Sequence, residues 1–409
     1  MTALLTRVLN RVLNRVLTPL LTCALLAAPF LAAAQTTSPS VPPPAAPTVA
    51  ARLPDPAVSL AYVTATGTLY AQTDRGELWT VGAAPARRLS GLATDAPITA
   101  CGPDVAAVLE GGQLWWGGLT GVRGLSTVAG TLCAPDGALL VVAGSGDLLR
   151  VEAGGRVSRR AALKLLPDAR PTLADLRGDG RFSVAVLADP GDRLAHGVLG
   201  DALEATTLLS VDPVTLRVHS RLTLPAPYVF EDWEARPVRA GTRDLLAVVR
   251  SSAQRGAALT LVGLDAARAA LRIEAVGPDF GRGGRWLAPF TDGAALYAVH
   301  TPHIGGVLHR YERVGSALRA TALTTGVSSH QIGARRVTGG VWQGAAWVGT
   351  QDVTRTRRVT PAPESPASAP ANASPVNRAV LNAGPSSPLL ITPRGAFLGL
   401  NDGQVVQLP

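Results

Sequence analysis

The 409-residue chain has one lysine (Lys164), three cysteines and few aromatic residues, 4% in all. Each shortage excludes something. Nearly all of the 38 basic residues are arginines, and they are scattered. No like-charged block marks a nucleic-acid-binding arm, and a formal charge of +9 over this length is mild. The cysteines show no CxxC or Cys/His spacing, so a zinc module of the usual kind is excluded. Beyond the N-terminal segment no apolar run reaches the length of a membrane helix, which excludes a multi-span membrane protein. The G-x-S-x-G elbow, H-E-x-x-H, phosphate-loop and dinucleotide fingerprints are all absent. What is present is 43 glycines, 32 prolines and 47% apolar residues. That is too much glycine and proline for a long coiled coil, and enough apolar surface for a core.

The N-terminus reads as an address. Arg7, Arg11 and Arg15 precede an apolar stretch over 16–34 that ends in Ala32-Ala33-Ala34, the pattern of a secretory signal cleaved after Ala34. Two other readings stay open. One is lipidation of Cys23, for which Thr22 is a poor neighbour; the other is retention as an anchor. Residues 35–56 are a Pro/Ala-rich linker, and the mature chain is expected outside the cytoplasm, secreted or periplasmic.

From residue 57 onward, short apolar or alternating runs are separated by glycine turns such as Thr66-Gly67, Arg75-Gly76, Gly111-Gly112 and Gly154-Gly155. Glycine supplies the positive φ that tight strand connections need, so the pattern is that of hairpins. Cys101-Gly102-Pro103-Asp104 is echoed by Cys133-Ala134-Pro135-Asp136, 32 residues later. Further repeats start near Pro171, Arg236, Trp286, His330 and Leu389. Repeats of this length, each with three or four strands, predict an all-β fold: a β-propeller of about seven four-stranded blades over 57–409. The C-terminal strands are expected to close the ring next to the N-terminal blade, and residues 360–388, rich in Pro, Ala and Ser, to form a disordered insertion in the last blade. Two stacked sandwiches are the alternative architecture. If Cys101 and Cys133 occupy equivalent sites on neighbouring repeats, a disulfide between them is open, provided the two Cα atoms approach within about 7 Å.

Leu173–Ala188 (LADLRGDGRFSVAVLA) resembles the FG-GAP/VCBS-type propeller repeat, whose acidic loop often holds calcium. Asp175 and Asp179 match that loop, whereas Arg177 and Ser183 replace oxygen ligands, so the sites are weak calcium candidates and no cofactor is assigned. The strings FEDWEARP, RGAAL, GRWLAP, TPHIGG and SHQIGAR are similar to those of secreted bacterial FG-GAP-like propellers of uncharacterised function, over roughly 170–350. The resemblance implies the fold and names no activity.

Arg236, Arg285 and His330 recur at about one repeat each, at the approach to successive first strands. Propeller topology brings such approaches to one face, together with the turn between second and third strands, where TPHIGG falls. Glu231, Asp232, Arg236, Arg285, Trp286, His303 and His330 are therefore expected on one ligand-binding rim. Their other reading is as fasteners between blades. His300, His303 and His309 invite a metal, but strand alternation is expected to turn His300 and His309 to different faces, and no metal is assigned. His196 and His219 read as surface residues. The expected function is a binding or scaffolding module of the cell envelope or exterior, with no membrane span after signal removal. Its partner would be a protein, an envelope glycan or a small ligand. The alternative is a hydrolase or lyase working through the His/Arg/acid rim.

Overall fold

The computed structural model describes residues 45–82, 88–361 and 376–409. The expected signal segment and the middle of the 360–388 insertion lie outside these residues. Strands, turns and loops make up everything described, with no helix.

The described strands form eight antiparallel meanders, one more than the count from sequence. Unit 1 comprises Ala57–Val63, Thr68–Thr73 and Leu78–Val81; unit 2 comprises Thr99–Cys101, Asp104–Val108 and Leu114–Trp116. Unit 3 runs from Thr131–Cys133 to Arg156–Ala162, and unit 4 from Thr172–Ala174 to Val218–Thr223. Unit 5 runs from Arg236–Ala240 to Ala270–Val276, unit 6 from Leu287–Thr291 to Ala317–Thr325, and unit 7 from Gly340–Trp342 to Val376–Leu381. Unit 8 holds Leu390–Thr392, Gly395–Gly399 and Gln404–Leu408, and takes its outer strand from the other end of the chain, Thr48–Arg52, with Thr48 opposite Gln407.

First strands of successive units lie side by side around the molecule, and that of unit 8 returns to that of unit 1. Gly130 N–H to Ala169 carbonyl joins units 3 and 4, and Gly339 N–H to Ser387 carbonyl joins units 7 and 8. The ring is thus closed by strand pairing between the two chain ends. Burial follows position in each unit. Glu204–Val211, a third strand, is buried along its whole length, whereas the outer strands Arg156–Ala162 (RVSRRAA) and Val218–Thr223 are mostly exposed. Each hydrophobic cluster is shared between neighbours: Val142 and Leu148 of unit 3 pack with Val186 and Leu208 of unit 4, and Ala57 and Leu69 of unit 1 pack with Phe397 and Val405 of unit 8. A single meander cannot cover both its faces, so stacking against the next supplies the core.

Two expectations about boundaries are corrected. Thr48–Arg52, assigned to the linker, is a strand, because backbone pairing to Gln404–Leu408 requires no large apolar side chains. Within the expected insertion, Val376–Leu381 is the outer strand of unit 7, and Ala383 is buried beyond it. Cys101 and Cys133 are bonded, their Cα atoms 5.2 Å apart. Each ends a first strand, and first strands are the elements that crowd together at the ring's centre.

Candidate functional site

Within a four-stranded meander, the approach to strand one and the turn between strands two and three leave at the same edge of the ring. Four such segments meet on that face: 192–203 of unit 4, 277–286 leading into unit 6, 301–306 of unit 6, and 326–339 leading into unit 7. Between them lies an open cleft of about 430 Å³. Its floor is Trp286, 2% exposed, whose indole Nε1–H donates to the Glu231 carbonyl at 2.9 Å. Its walls carry His196, Arg285 and His303, and its lip carries Ile304 and Ile332. These two isoleucines are 67% and 72% exposed, the highest values among the large apolar residues described.

The turn that presents His303 is tightly made. Thr301 has φ 46°, a strained conformation for a β-branched residue. Gly305 follows at φ 66°, and a Cβ on Gly306 would strike the Val327 carbonyl. The Thr301 carbonyl accepts from Ile304 N–H at 2.9 Å.

Hydrogen bonding fixes the imidazoles. His330 is 2% exposed, forms a three-ring cluster with Trp233 and Trp286, and has its Nε2 2.7 Å from the Ala334 carbonyl. A carbonyl only accepts, so this Nε2 bears the proton. Burial holds the His330 pKa down to about 3, so the ring is neutral and its Nδ1 is an acceptor. His303 Nε2, 2.8 Å from that Nδ1, must therefore donate. Burial and then the charge of His196 lower the His303 pKa. The neutral His303 ring is thus left with its Nδ1 lone pair. His196 is anchored differently: its Nδ1 lies 2.5 Å from Glu231 Oε1, and that bond raises the His196 pKa. Glu231 is buried, and its own pKa is raised by burial against the opposing pull of His196.

Behind Glu231 stands a second acid. Ala205 pairs with Phe230 across antiparallel strands, so Glu204 and Glu231 are the next cross-strand neighbours. Glu204 is 1% exposed, neither carboxyl oxygen has a hydrogen-bond partner, and burial followed by the charge of Glu231 pushes its pKa up to about 11. Two carboxylates so placed cannot both ionise cheaply. Glu204 keeps its proton while Glu231 faces His196.

The rim expected from sequence is therefore divided. Arg285, Trp286 and His303 line the cleft; Glu231 and His330 support it from behind. Asp232 and Arg236 do not belong to it. They form a buried ion pair at 2.8 Å, with Asp232 also accepting from the N–H groups of Trp233 and Val249. These side chains stay inside because Arg236 leads into an innermost strand. His300 and His309 share a face, contrary to expectation, since His300 pairs with Val307 and residue 309 lies two further on; their rings stack at 3.7 Å, away from His303. Among the described residues no three His, Cys, Asp or Glu side chains group as metal ligands. Asp175 spends both carboxyl oxygens on the N–H groups of Gly178, Asp179 and Gly180, which makes it a turn cap. Reasoning from sequence missed His196, Ile304, Ile332 and Glu204. The signal for the first was the length of the 192–203 connection.

The segment carrying His330 and Ile332 is tied across the ring. Arg335 pairs with Asp201 at 3.1 Å, Asp168 at 3.3 Å and Asp95 at 3.5 Å, on three other connections of the same face. Arg170 donates to the carbonyls of Asp95 and Arg335, and its guanidinium lies 5.4 Å from the Trp233 ring.

No family model matches the chain, and no curated protein does. Solved structures do match its fold. BamB from Moraxella catarrhalis is 15% identical with a TM-score of 0.52, over 88% of this chain and 97% of that one. Sqt1 from Saccharomyces cerevisiae is 9% identical with a TM-score of 0.52, over 90% and 98%. The computationally designed protein Ika8 is 8% identical with a TM-score of 0.51, over 88% and 98%. The fold is β-propeller-like. At such identities the likeness concerns the fold alone, and the meanders can now be called blades.

Proposed function

We propose that this chain is an exported binding module whose recognition site is the cleft between blades 4, 6 and 7. The observation that carries the reading is the lip. Two of the most exposed large apolar side chains described flank one cleft, whose volume is in the range that small ligands or anchoring side chains fill. The supporting residues are held in place: His330 packs against two tryptophans and the loop bearing it is held by three carboxylates. A preformed site loses little entropy on binding. Export is supported by the N-terminal pattern of basic, apolar and small residues, and by a cystine, which persists in oxidising compartments.

The test is a comparison of the protein with its Ile304→Ser/Ile332→Ser variant. Both substitutions lie on solvated side chains, so melting should change little. Capture of a partner from cell-envelope fractions by the wild type and its loss in the variant, at equal melting temperature, is the expected result. Equal capture by both proteins would rule out the cleft as the recognition site. Recovery of the wild-type protein only as an uncut cytosolic chain starting at Met1 would refute export.

A further inference from the structure

We propose that the cleft receives the C-terminal residue of a peptide chain, its free carboxylate at Arg285 and His196, its amide N–H at His303 Nδ1, and an aliphatic last side chain against Ile304 and Ile332. The proposal rests on the cleft being the recognition site and names what enters it.

Each part of such a ligand has a counterpart. Among the described residues Arg285 has no carboxylate partner; its one side-chain bond is Nη1–H to the Gly284 carbonyl at 2.7 Å. Arg335, Arg336 and Arg255 on the same face are committed to aspartates, and Arg282 in the same segment does not line the cleft. A half-buried guanidinium without a carboxylate partner, in the wall of a cleft, is suited to a carboxylate, which it can grip with two parallel N–H bonds. No acid lines the cleft to compete. His196 stands on the same wall, with Nδ1 turned inward to Glu231 and its other edge outward. Protonation at that edge adds a second donor for an anion, and the Glu231 bond favours it.

His303 separates a peptide end from a simple fatty acid. The chain of bonds from the Ala334 carbonyl through His330 leaves His303 with an acceptor at Nδ1. An acceptor calls for a donor on the ligand. A peptide offers one, the N–H of its last residue, a few ångströms from the carboxylate. A fatty acid has none. The lip completes the match. Ile304 and Ile332, with Val198 and Pro302 beside them, form an aliphatic border around a polar centre, which selects an apolar side chain over a charged one.

The probe is a fluorescein-labelled hexapeptide, Gly-Ser-Gly-Ala-Leu-Val with a free carboxylate, followed by anisotropy on the full protein. Its C-terminal amide and octanoate serve as comparisons. The free-acid peptide is expected to bind, with the amide at least about tenfold weaker. Arg285→Ala should weaken the free-acid peptide more than the amide and so reduce the difference between them, His196 remaining as the second donor. His303→Ala should weaken it, and His303→Gln, which restores an acceptor, should recover part of the loss. Equal binding of acid and amide, or no effect of Arg285→Ala, overturns the proposal. So does octanoate binding that matches the peptide and ignores His303→Ala, because the ligand is then a free aliphatic acid. Should the peptide fail while Ile304→Ser/Ile332→Ser still abolishes envelope capture, the ligand class is wrong and the recognition site stands. Loss of both would remove the site as well.

Discussion

At the scale of single residues, the support of the cleft depends on groups whose charge the fold has changed. Glu204 is held protonated, with a pKa near 11 against an ordinary 4.5. In the unfolded chain it ionises above pH 4.5, so folding takes up a proton there and stability falls as pH rises from 4.5 toward 11. At pH 7 the cost reaches at most about 3 kcal/mol. Glu204→Gln, which cannot ionise, should therefore raise the melting temperature at pH 7 and leave it nearly unchanged at pH 4.5. A variant less stable at both values would show that the acid is needed as such. His330 acts in the opposite direction. Its pKa of about 3 lies below the ordinary 6.5, so the unfolded chain gains a proton that the folded one refuses, and stability is lost as pH falls from 6.5 toward 3. Wild type should lose about 2–3 kcal/mol more than His330→Gln between pH 7 and pH 4.5. Parallel pH curves for the two would count against a neutral buried ring. None of this was legible in the sequence. Glu204 precedes an apolar run and looks like a turn residue, and only the pairing of Ala205 with Phe230 sets it opposite Glu231.

Elements show a clearer relation between sequence and structure. The glycine turns and alternating runs mark the blades well, because a strand's inside and outside differ in polarity and its turns need positive φ. The repeat of Cys101 at Cys133 is the sharpest case: a 32-residue echo placed both thiols at the ends of successive first strands, where the ring brings them together. Closing a loop of this length contributes roughly 3–4 kcal/mol in the chain-entropy account. Cys133→Ser should lower stability to urea by about that amount, and reducing agent should do the same to wild type and nothing further to the variant. What the sequence concealed are elements built by backbone pairing alone. Thr48–Arg52 and Val376–Leu381 sit in Pro- and Ala-rich surroundings, yet hydrogen bonds to Gln404–Leu408 and Thr356–Thr360 hold them as outer strands. An outer strand packs on one neighbour only, so composition says little about it. The rim motifs were legible as loops on one face. Which side chains turn outward was not, since Asp232 and Arg236 pair with each other inside while Arg285 reaches the cleft.

On the scale of the whole molecule, the ring depends on two long-range ties, and they should fail in different ways. Arg335 joins four connections of one face, but Asp95 and Asp201 are a third exposed and water can replace much of what is lost. Arg335→Ala should cost about 1–3 kcal/mol, chiefly by stranding the buried Asp168, and should speed hydrogen exchange over 329–338 without opening the ring. The pairing of Thr48–Arg52 with Gln404–Leu408 is a different tie, because among the described residues it alone joins blade 8 to the N-terminal end of the chain by a strand ladder. A chain starting at residue 45 keeps that ladder, whereas one starting at residue 54 leaves Gln404–Leu408 as a bare edge. Unpaired edges invite association with other chains, and the lost backbone bonds cost roughly 1 kcal/mol each. The shorter chain should melt lower and aggregate, and a synthetic peptide of residues 45–54 added in trans should restore it by refilling the edge. Equal melting and solubility of the two chains would mean that packing of blade 8 against blades 1 and 7 holds the ring without the strand.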